Sequence, residues 1–171
     1  MSDEELVERI RLGNEQAAEI LVRRYYTAIL RYCRTSCGNA DQAEDLTQET
    51  FLRLFRSLSE HKEKIKLRPF LYTIAHHLCI DESRKLRQCP LKDQQTLVDE
   101  HDGLRQAEDR AEVNRLLAVL PPEQREAVIL RYGQSLSFRQ IALVMGCNLR
   151  TAQSRVRRAL KSMREAKSDE N

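Results

Sequence analysis

SFRQIALVMGCNLRTAQSRVRRALKSM, residues 137–163, is the most informative stretch of the chain. It reads as a short helix over residues 137–145, a turn at Gly146, Cys147 and Asn148, and a longer helix from Leu149 onward, which is helix-turn-helix spacing. On the second helix Leu149, Ala152, Val156, Ala159 or Leu160, and Met163 fall on one inward stripe. Arg150, Gln153, Ser154, Arg157, Arg158, Lys161 and Arg164 lie on the other side. One face packs and the other is a comb of cations. Such a helix suits the major groove, where Gln and Arg make bidentate bonds to base edges while other cations neutralise phosphates. A basic helix face alone is more often simply solvated. The glycine turn just before it, with Gln and Ser among the first exposed residues, shifts the balance to DNA binding.

Upstream, Val113, Leu116, Leu117 and Leu120 repeat at helical spacing. Pro121 and Pro122 break the chain before a further helix bearing Val128, Ile129 and Tyr132. From residue 88 to about 109 the pattern fails: Pro90, Gly103 and the acidic Asp93, Asp99, Glu100, Asp102, Glu108 and Asp109 predict a flexible acidic tether. On its N-terminal side four amphipathic segments are expected. The first spans residues 3–12 and stops at Gly13 and Asn14; the second, residues 15–37, turns Ala18, Leu21, Tyr25, Ile29, Tyr32 and Cys33 inward. A third over residues 41–58 buries Ala43, Leu46, Phe51, Leu54, Phe55 and Leu58. After the polar, lysine-rich residues 59–66, Pro69 sits early in a fourth helix carrying Phe70, Leu71, Ile74, Ala75, Leu78 and Ile80.

The expected fold is therefore all-α, with two small helical domains, residues 1–87 and 110–171, joined by the tether of residues 88–109. Composition agrees: 171 residues hold five Gly, four Pro and no Trp, too few β-branched and aromatic residues for a sheet. A net charge of +3 is too slight to announce a nucleic-acid binder, so the distribution of charge has to decide. No apolar run approaches the ~20 residues that cross a bilayer. The acidic opening Met1-Ser2-Asp3-Glu4-Glu5 lacks the parts of a signal peptide, so no direct membrane insertion and a cytoplasmic location are expected. Cys33, Cys37, Cys79, Cys89 and Cys147 form an odd set, unlike a disulfide framework. Cys33 and Cys37 with Cys79 and His76 or His77 are the only metal-ligand remnant, but paired CxxC spacing is missing; no metal or cofactor is expected. There is no Gly-rich phosphate loop and no nucleophile motif, which argues against an enzyme.

Two further surfaces draw attention. On the third helix the stripe opposite the core holds Asp45, Gln48, Glu49, Leu52 and Arg56, a carboxylate patch around one exposed leucine. It is either a protein contact or an ordinary polar surface with a stray Leu. The fourth helix combines Phe70, Tyr72, His76 and His77 with Arg84, Lys85 and Arg87, aromatics and cations that suit unstacked bases unless the rings belong to the core.

These motifs together resemble the extracytoplasmic-function (ECF) sigma factors. The strongest pieces are DQAEDLTQETF (residues 41–51), FLYTIA (70–75) with DESRK (81–85), and LPPEQRE (120–126) continuing through Ile141, Ala142, Ser154 and Arg155. The resemblance implies a sigma subunit without catalytic activity that binds core RNA polymerase and selects promoters. It implies that Asp45, Gln48, Glu49 and Leu52 dock on the clamp helices of the largest polymerase subunit, and that the C-terminal domain meets the flap of the second-largest. It further implies that residues 59–66, with Ser59, Lys62, Lys64 and Lys66, capture a flipped base of the minus-ten element. Tyr72, His77, Arg84, Lys85 and Arg87 would line the strand and adjoining duplex. The minus-thirty-five element would be read through Gln153, Ser154, Arg157 and Arg158, with Thr151 and Arg155 near phosphate and Arg150 part of the same set. An anti-sigma protein, often membrane-anchored, would cover these surfaces and could hold the chain at the inner face of the membrane.

Three departures qualify the resemblance. His76-His77 replaces the Arg-Asn that family members often carry, RTAQSR (150–155) replaces the usual GTVKSR and implies a shifted minus-thirty-five preference, and the large central domains of housekeeping sigma factors are absent. The competing reading is a stand-alone helix-turn-helix regulator that binds palindromic duplex sites as a dimer.

Overall fold

The computed structural model describes residues 1–37, 39–87 and 104–170. Within them lie eight α-helices and no strand: α1 (Asp3–Arg11), α2 (Glu15–Cys37), α3 (Ala40–Glu60), α4 (Leu67–Arg87), α5 (Leu104–Ala118), α6 (Pro122–Val128), α7 (Phe138–Met145) and α8 (Leu149–Asp169). They form two compact units, one within Met1–Thr96 and one within Leu97–Asn171. Most of the expected tether, residues 88–103 with Cys89, Pro90 and Gly103, lies outside the described residues. Its last part does not: residues 104–109 are already helical, so α5 starts earlier than the loss of apolar periodicity suggests. Gln106, Ala107 and Glu108 are good helix formers, and an acidic stretch without an apolar stripe still makes helix when packing follows downstream.

The helix starts follow from capping chemistry. Ser2 accepts from the Glu5 N–H while the Glu5 carboxylate accepts from the Ser2 N–H, a reciprocal box that begins α1. Asn14 accepts from the Ala17 N–H at 2.9 Å, and Asn39 accepts from the N–H groups of Asp41 and Gln42, opening α2 and α3. In the first unit α2 packs on α3 and α4, α3 on α4, and α1 on α2 and α3. The core is built from Leu6, Leu21, Ile29, Tyr32, Leu54 and Leu71, all inaccessible to solvent. Tyr32 meets the edge of Tyr72 with ring centroids 5.6 Å apart and planes at 84°, a favourable T-shaped pair. Thr47 and Thr50 are buried too, and their hydroxyls donate to the carbonyls of Ala43 and Leu46 one turn back, so neither burial leaves a polar group unpaired. The stripe of α2 differs slightly from the expected one: Ala17, not Ala18, is buried, and Tyr25 is only half-buried.

In the second unit α8 packs against α5, α6 and α7. After α6 the chain makes a π-helical turn, Ile129–Gly133, closed by Gln134 N–H donating to Ile129 O at 3.1 Å. The wider turn inserts a residue relative to α periodicity. Leu130 is fully buried, and Tyr132, grouped by helical spacing with Val128 and Ile129, is 61 % exposed. Val113 is likewise exposed, leaving Leu117 and Leu120 to anchor α5 and the turn after it.

The turn between α7 and α8 sets the helix-turn-helix geometry. Ser137 and Gln140 form a second reciprocal box at the start of α7. Gly146 ends that helix at φ 64°, in the left-handed region, and Asn148 accepts from the Thr151 N–H at 2.7 Å to start α8. A Cβ on Gly146 would touch nothing within 4 Å, so substitution there tests backbone conformation alone. Gly146→Ala should destabilise by about 1–2 kcal/mol, seen as a lower melting temperature of the full chain with an unchanged helical circular dichroism signal.

Candidate nucleic-acid interface

The outward face of α8 is set by what its inward face buries. Ala152, Val156 and Ala159 are at most 2 % exposed, which turns Arg150, Gln153, Arg157, Arg158, Lys161 and Arg164 to solvent. Thr151 and Ser154 are half-buried beside them. Leu149, expected on the inward stripe, is instead 39 % exposed, at the first residue of α8. Arg155 differs from its neighbours. Its guanidinium lies 3.4 Å from the Glu123 carboxylate at the start of α6 and its side chain is only 21 % exposed. It is therefore tied to the scaffold, and no sequence signal announces that pairing across 32 positions (155 − 123).

On α3 the carboxylate face is exposed as a unit. Asp45, Gln48, Leu52 and Arg56 face solvent, Leu52 at 60 %, and Glu49 is half-buried, accepting from Arg53 Nε at 2.9 Å. That exposed i,i+4 pair contributes little to stability, so the row is free to exchange partners.

The lysine-rich connection between α3 and α4 lies at the surface. Lys62, Lys64 and Lys66 are exposed, and the Ser59 hydroxyl donates to the Arg56 carbonyl at 2.7 Å. Arg11, which the sequence did not single out, donates through Nη2 to the carbonyls of His61 at 3.1 Å and Glu63 at 2.6 Å. No local pattern signals a contact spanning 50 and 52 residues. On α4, His77, Arg84 and Lys85 are exposed; the side chain of Arg87 lies outside the described residues.

Tyr72 departs from its expected role. It is 1 % exposed, its ring is packed against Tyr32, and burial pushes its hydroxyl above the ordinary tyrosine range. It cannot stack on a base without unpacking the core. His76 faces inward as well, 8 % exposed, with Nδ1 3.3 Å from Tyr32 Oη, whereas the adjacent His77 points out, as a helix requires of successive residues. Phe70 is half-buried.

The cysteine remnant has a packing explanation. Cys33 and Cys79 are buried, and Cys37 donates its thiol to Asn39 O at 3.3 Å. Burial pushes the Cys37 thiol up, away from the thiolate that metal binding and exchange need. Among the described residues no three His, Cys, Asp or Glu side chains converge as a metal-binding set. Nor is any helix there long and apolar enough to cross a membrane.

Comparison with known proteins identifies the family of each unit. The family described as Sigma-70 region 2 matches residues 21–88, and that described as Sigma-70, region 4 matches residues 110–163. The chain is 33 % identical over 166 residues to the ECF RNA polymerase sigma factor SigC of Mycobacterium tuberculosis, covering 92 % of this chain and 89 % of that one. It is 29 % identical over 160 residues to the RNA polymerase sigma factor YlaC of Bacillus subtilis, covering 86 % and 90 %. Among solved structures, CnrH in complex with the cytosolic domain of CnrY has a TM-score of 0.79 at 20 % identity, covering 99 % of both chains. The sigma factor RpoE of Bartonella quintana, in complex with the anti-sigma factor NepR, has a TM-score of 0.70 at 23 % identity, covering 86 % and 94 %. At these identities the structural likeness concerns the fold.

Tyr72→Phe should keep the T-shaped pair, cost under about 1.5 kcal/mol and leave initiation unchanged on both duplex and pre-melted templates. Tyr72→Ala should instead cost about 3–5 kcal/mol in a denaturation curve. A template-specific defect in a normally stable Tyr72→Phe chain would return the residue to the DNA surface.

Proposed function

Because the chain belongs to the ECF sigma factors, non-catalytic subunits that bind core RNA polymerase and direct promoter-specific initiation, we propose a division of labour between its two units. In this reading residues 1–87 bind polymerase and handle the minus-ten element, the helical unit from α5 onward handles the minus-thirty-five element, and the residues between are a tether. The observation that carries it is that one chain bears both the region 2 and region 4 matches, each on its own compact unit. Two weak, separately placed contacts joined by a tether act at high effective concentration once polymerase sets their separation.

The α3 face of Asp45, Gln48, Glu49 and Leu52 docks on the clamp helices of the largest subunit. Carboxylates meet basic residues there, and Leu52 loses its exposed surface, worth about 1–2 kcal/mol. The C-terminal unit also contacts the flap of the second-largest subunit. Residues 59–66, with Ser59, Lys62, Lys64 and Lys66, take up a flipped base, and His77, Arg84, Lys85 and Arg87 follow the strand and duplex; Tyr72 supports them from the core. Gln153, Ser154, Arg157 and Arg158 read base edges while Arg150 and Thr151 meet phosphate. Arg155 reaches phosphate only by exchanging Glu123 for it, which makes it a weaker contact than its neighbours. The protein works in the cytoplasm and is held, until released, by an anti-sigma protein that covers these faces, as NepR accompanies the Bartonella RpoE.

The direct test mixes the purified chain with sigma-free core polymerase, follows complex formation by size exclusion, and maps run-off transcripts on genomic fragments. Formation of a complex with discrete starts supports the reading; DNA binding to palindromic sites without a complex replaces it with the stand-alone regulator. Asp45→Arg combined with Glu49→Arg should abolish polymerase binding at an unchanged melting temperature, because both side chains reach solvent. Wild-type affinity in that variant moves the docking face elsewhere. Arg157→Ala and Arg158→Ala should each weaken promoter binding and lower its salt dependence, whereas Gln153→Ala should cost about 1–3 kcal/mol of discrimination at one base position. Footprints unaltered in all three would remove α8 as the reader.

A further inference from the structure

We propose that Arg11 is a positioning residue for minus-ten recognition, holding the α3–α4 connection in its base-capturing shape without touching DNA. The proposal rests on the reading of residues 59–66 given above. It concerns a part of the chain, α1, that precedes the region 2 match at residues 21–88.

Helix α1 is docked firmly at its start and its middle. Asp3 accepts from Arg24 Nη1 at 2.7 Å and from the Tyr25 hydroxyl at 2.5 Å, Arg24 Nη2 donates to Met1 O, and Leu6 and Val7 are buried beneath. Burial, with the Asp3 carboxylate beside it, pushes the Tyr25 hydroxyl well above its ordinary range, so it stays a donor. The helix ends where Gly13 takes φ 81° and Asn14 caps α2, which places Arg11 on the last turn. Its guanidinium donates from Nη1 to Glu8 at 3.1 Å and from Nη2 to the two carbonyls of His61 and Glu63. Only 14 % of the side chain is exposed.

What Arg11 meets is the carboxyl end of α3. His61 is its C-cap, and the last turn of α3 has no basic residue of its own. Arg11 therefore supplies, from another helix, the cation that a helix C-terminus favours. The same group pins the Glu63 carbonyl. Two anchors two residues apart fix the peptide planes that join His61 to Lys62 and Glu63 to Lys64, in a segment with no helix or strand to hold it. A loop held in its bound shape loses less conformational entropy when a base enters it. Planarity matters here, since a guanidinium presents several donors in a rigid fork that an ammonium lacks.

The test uses the full chain with core polymerase, on promoters altered base by base in the minus-ten element and on the same sequences pre-opened as bubbles. Arg11→Met should reduce discrimination between the preferred base and the others roughly tenfold, the size expected for lost charge-assisted hydrogen bonds. Affinity for polymerase and minus-thirty-five preference should stay as in the wild type. Arg11→Lys should lie between, and it decides the matter if Arg11→Met does not melt cooperatively. Full minus-ten discrimination in both variants, or an equal loss of all three properties, overturns the proposal. A Lys62→Ala, Lys64→Ala double variant separates the two layers. If it loses discrimination while the Arg11 variants keep it, the clamp alone is wrong; if it too keeps discrimination, the reading of the loop fails and the clamp with it.

Discussion

A small helical unit buries the faces where its helices meet and leaves the rest to solvent, and the surfaces of this molecule depend on that constraint. The row that closes the N-terminal core centres on Tyr32 and Tyr72, edge to face at 5.6 Å, with Leu71, Leu54 and Leu21 around them. Once those side chains are committed, the opposite rows of α3 and α4 have no partner within the unit. They are left polar and charged, with a solitary Leu52 among carboxylates. In the C-terminal unit the small inward residues Ala152, Val156 and Ala159 let α8 lie close to its neighbours and leave its cations outside. The faces proposed for binding are what packing leaves over.

Promoter selection by an ECF sigma factor needs surfaces that keep their shape without a ligand. Capping supplies much of that rigidity at low cost. The Ser137–Gln140 box, Gly146 in the left-handed region and Asn148 on Thr151 fix the angle of α7 to α8 within three turn residues. The α3–α4 connection has no such local device. Arg11 holds two of its carbonyls, so the segment proposed to capture a base depends on the helix of its own unit that lies farthest from it in sequence.

The same logic explains the side chains whose roles changed. Tyr72 and His77 are five residues apart on one helix, which sends them to different faces: the first seals the core and the second remains on the surface. Within the π-helical turn Leu130 is fully buried while Tyr132 stays outside. Arg155 is half withdrawn from the cation comb because Glu123 reaches it from α6.

Local chemistry by itself determined the helical class, the helix-turn-helix at residues 137–163, the inward rows of α3 and α8 apart from the half-buried Phe55 and Met163 and the exposed Leu149, and the exposure of Asp45, Gln48, Leu52, Arg157 and Arg158. These depend on 3.6-residue periodicity and on turn residues whose preferences act over a few positions, so they are legible along the chain. Tertiary structure decided the burial of Tyr72 and His76, the outward turn of Tyr132, the Arg155–Glu123 pair and the Arg11 clamp. Each arises where a neighbouring element, distant in sequence, competes for a side chain or a carbonyl. A period of 3.6 tells which residues share a face but not which of two faces a neighbour will cover, and that choice is made by packing.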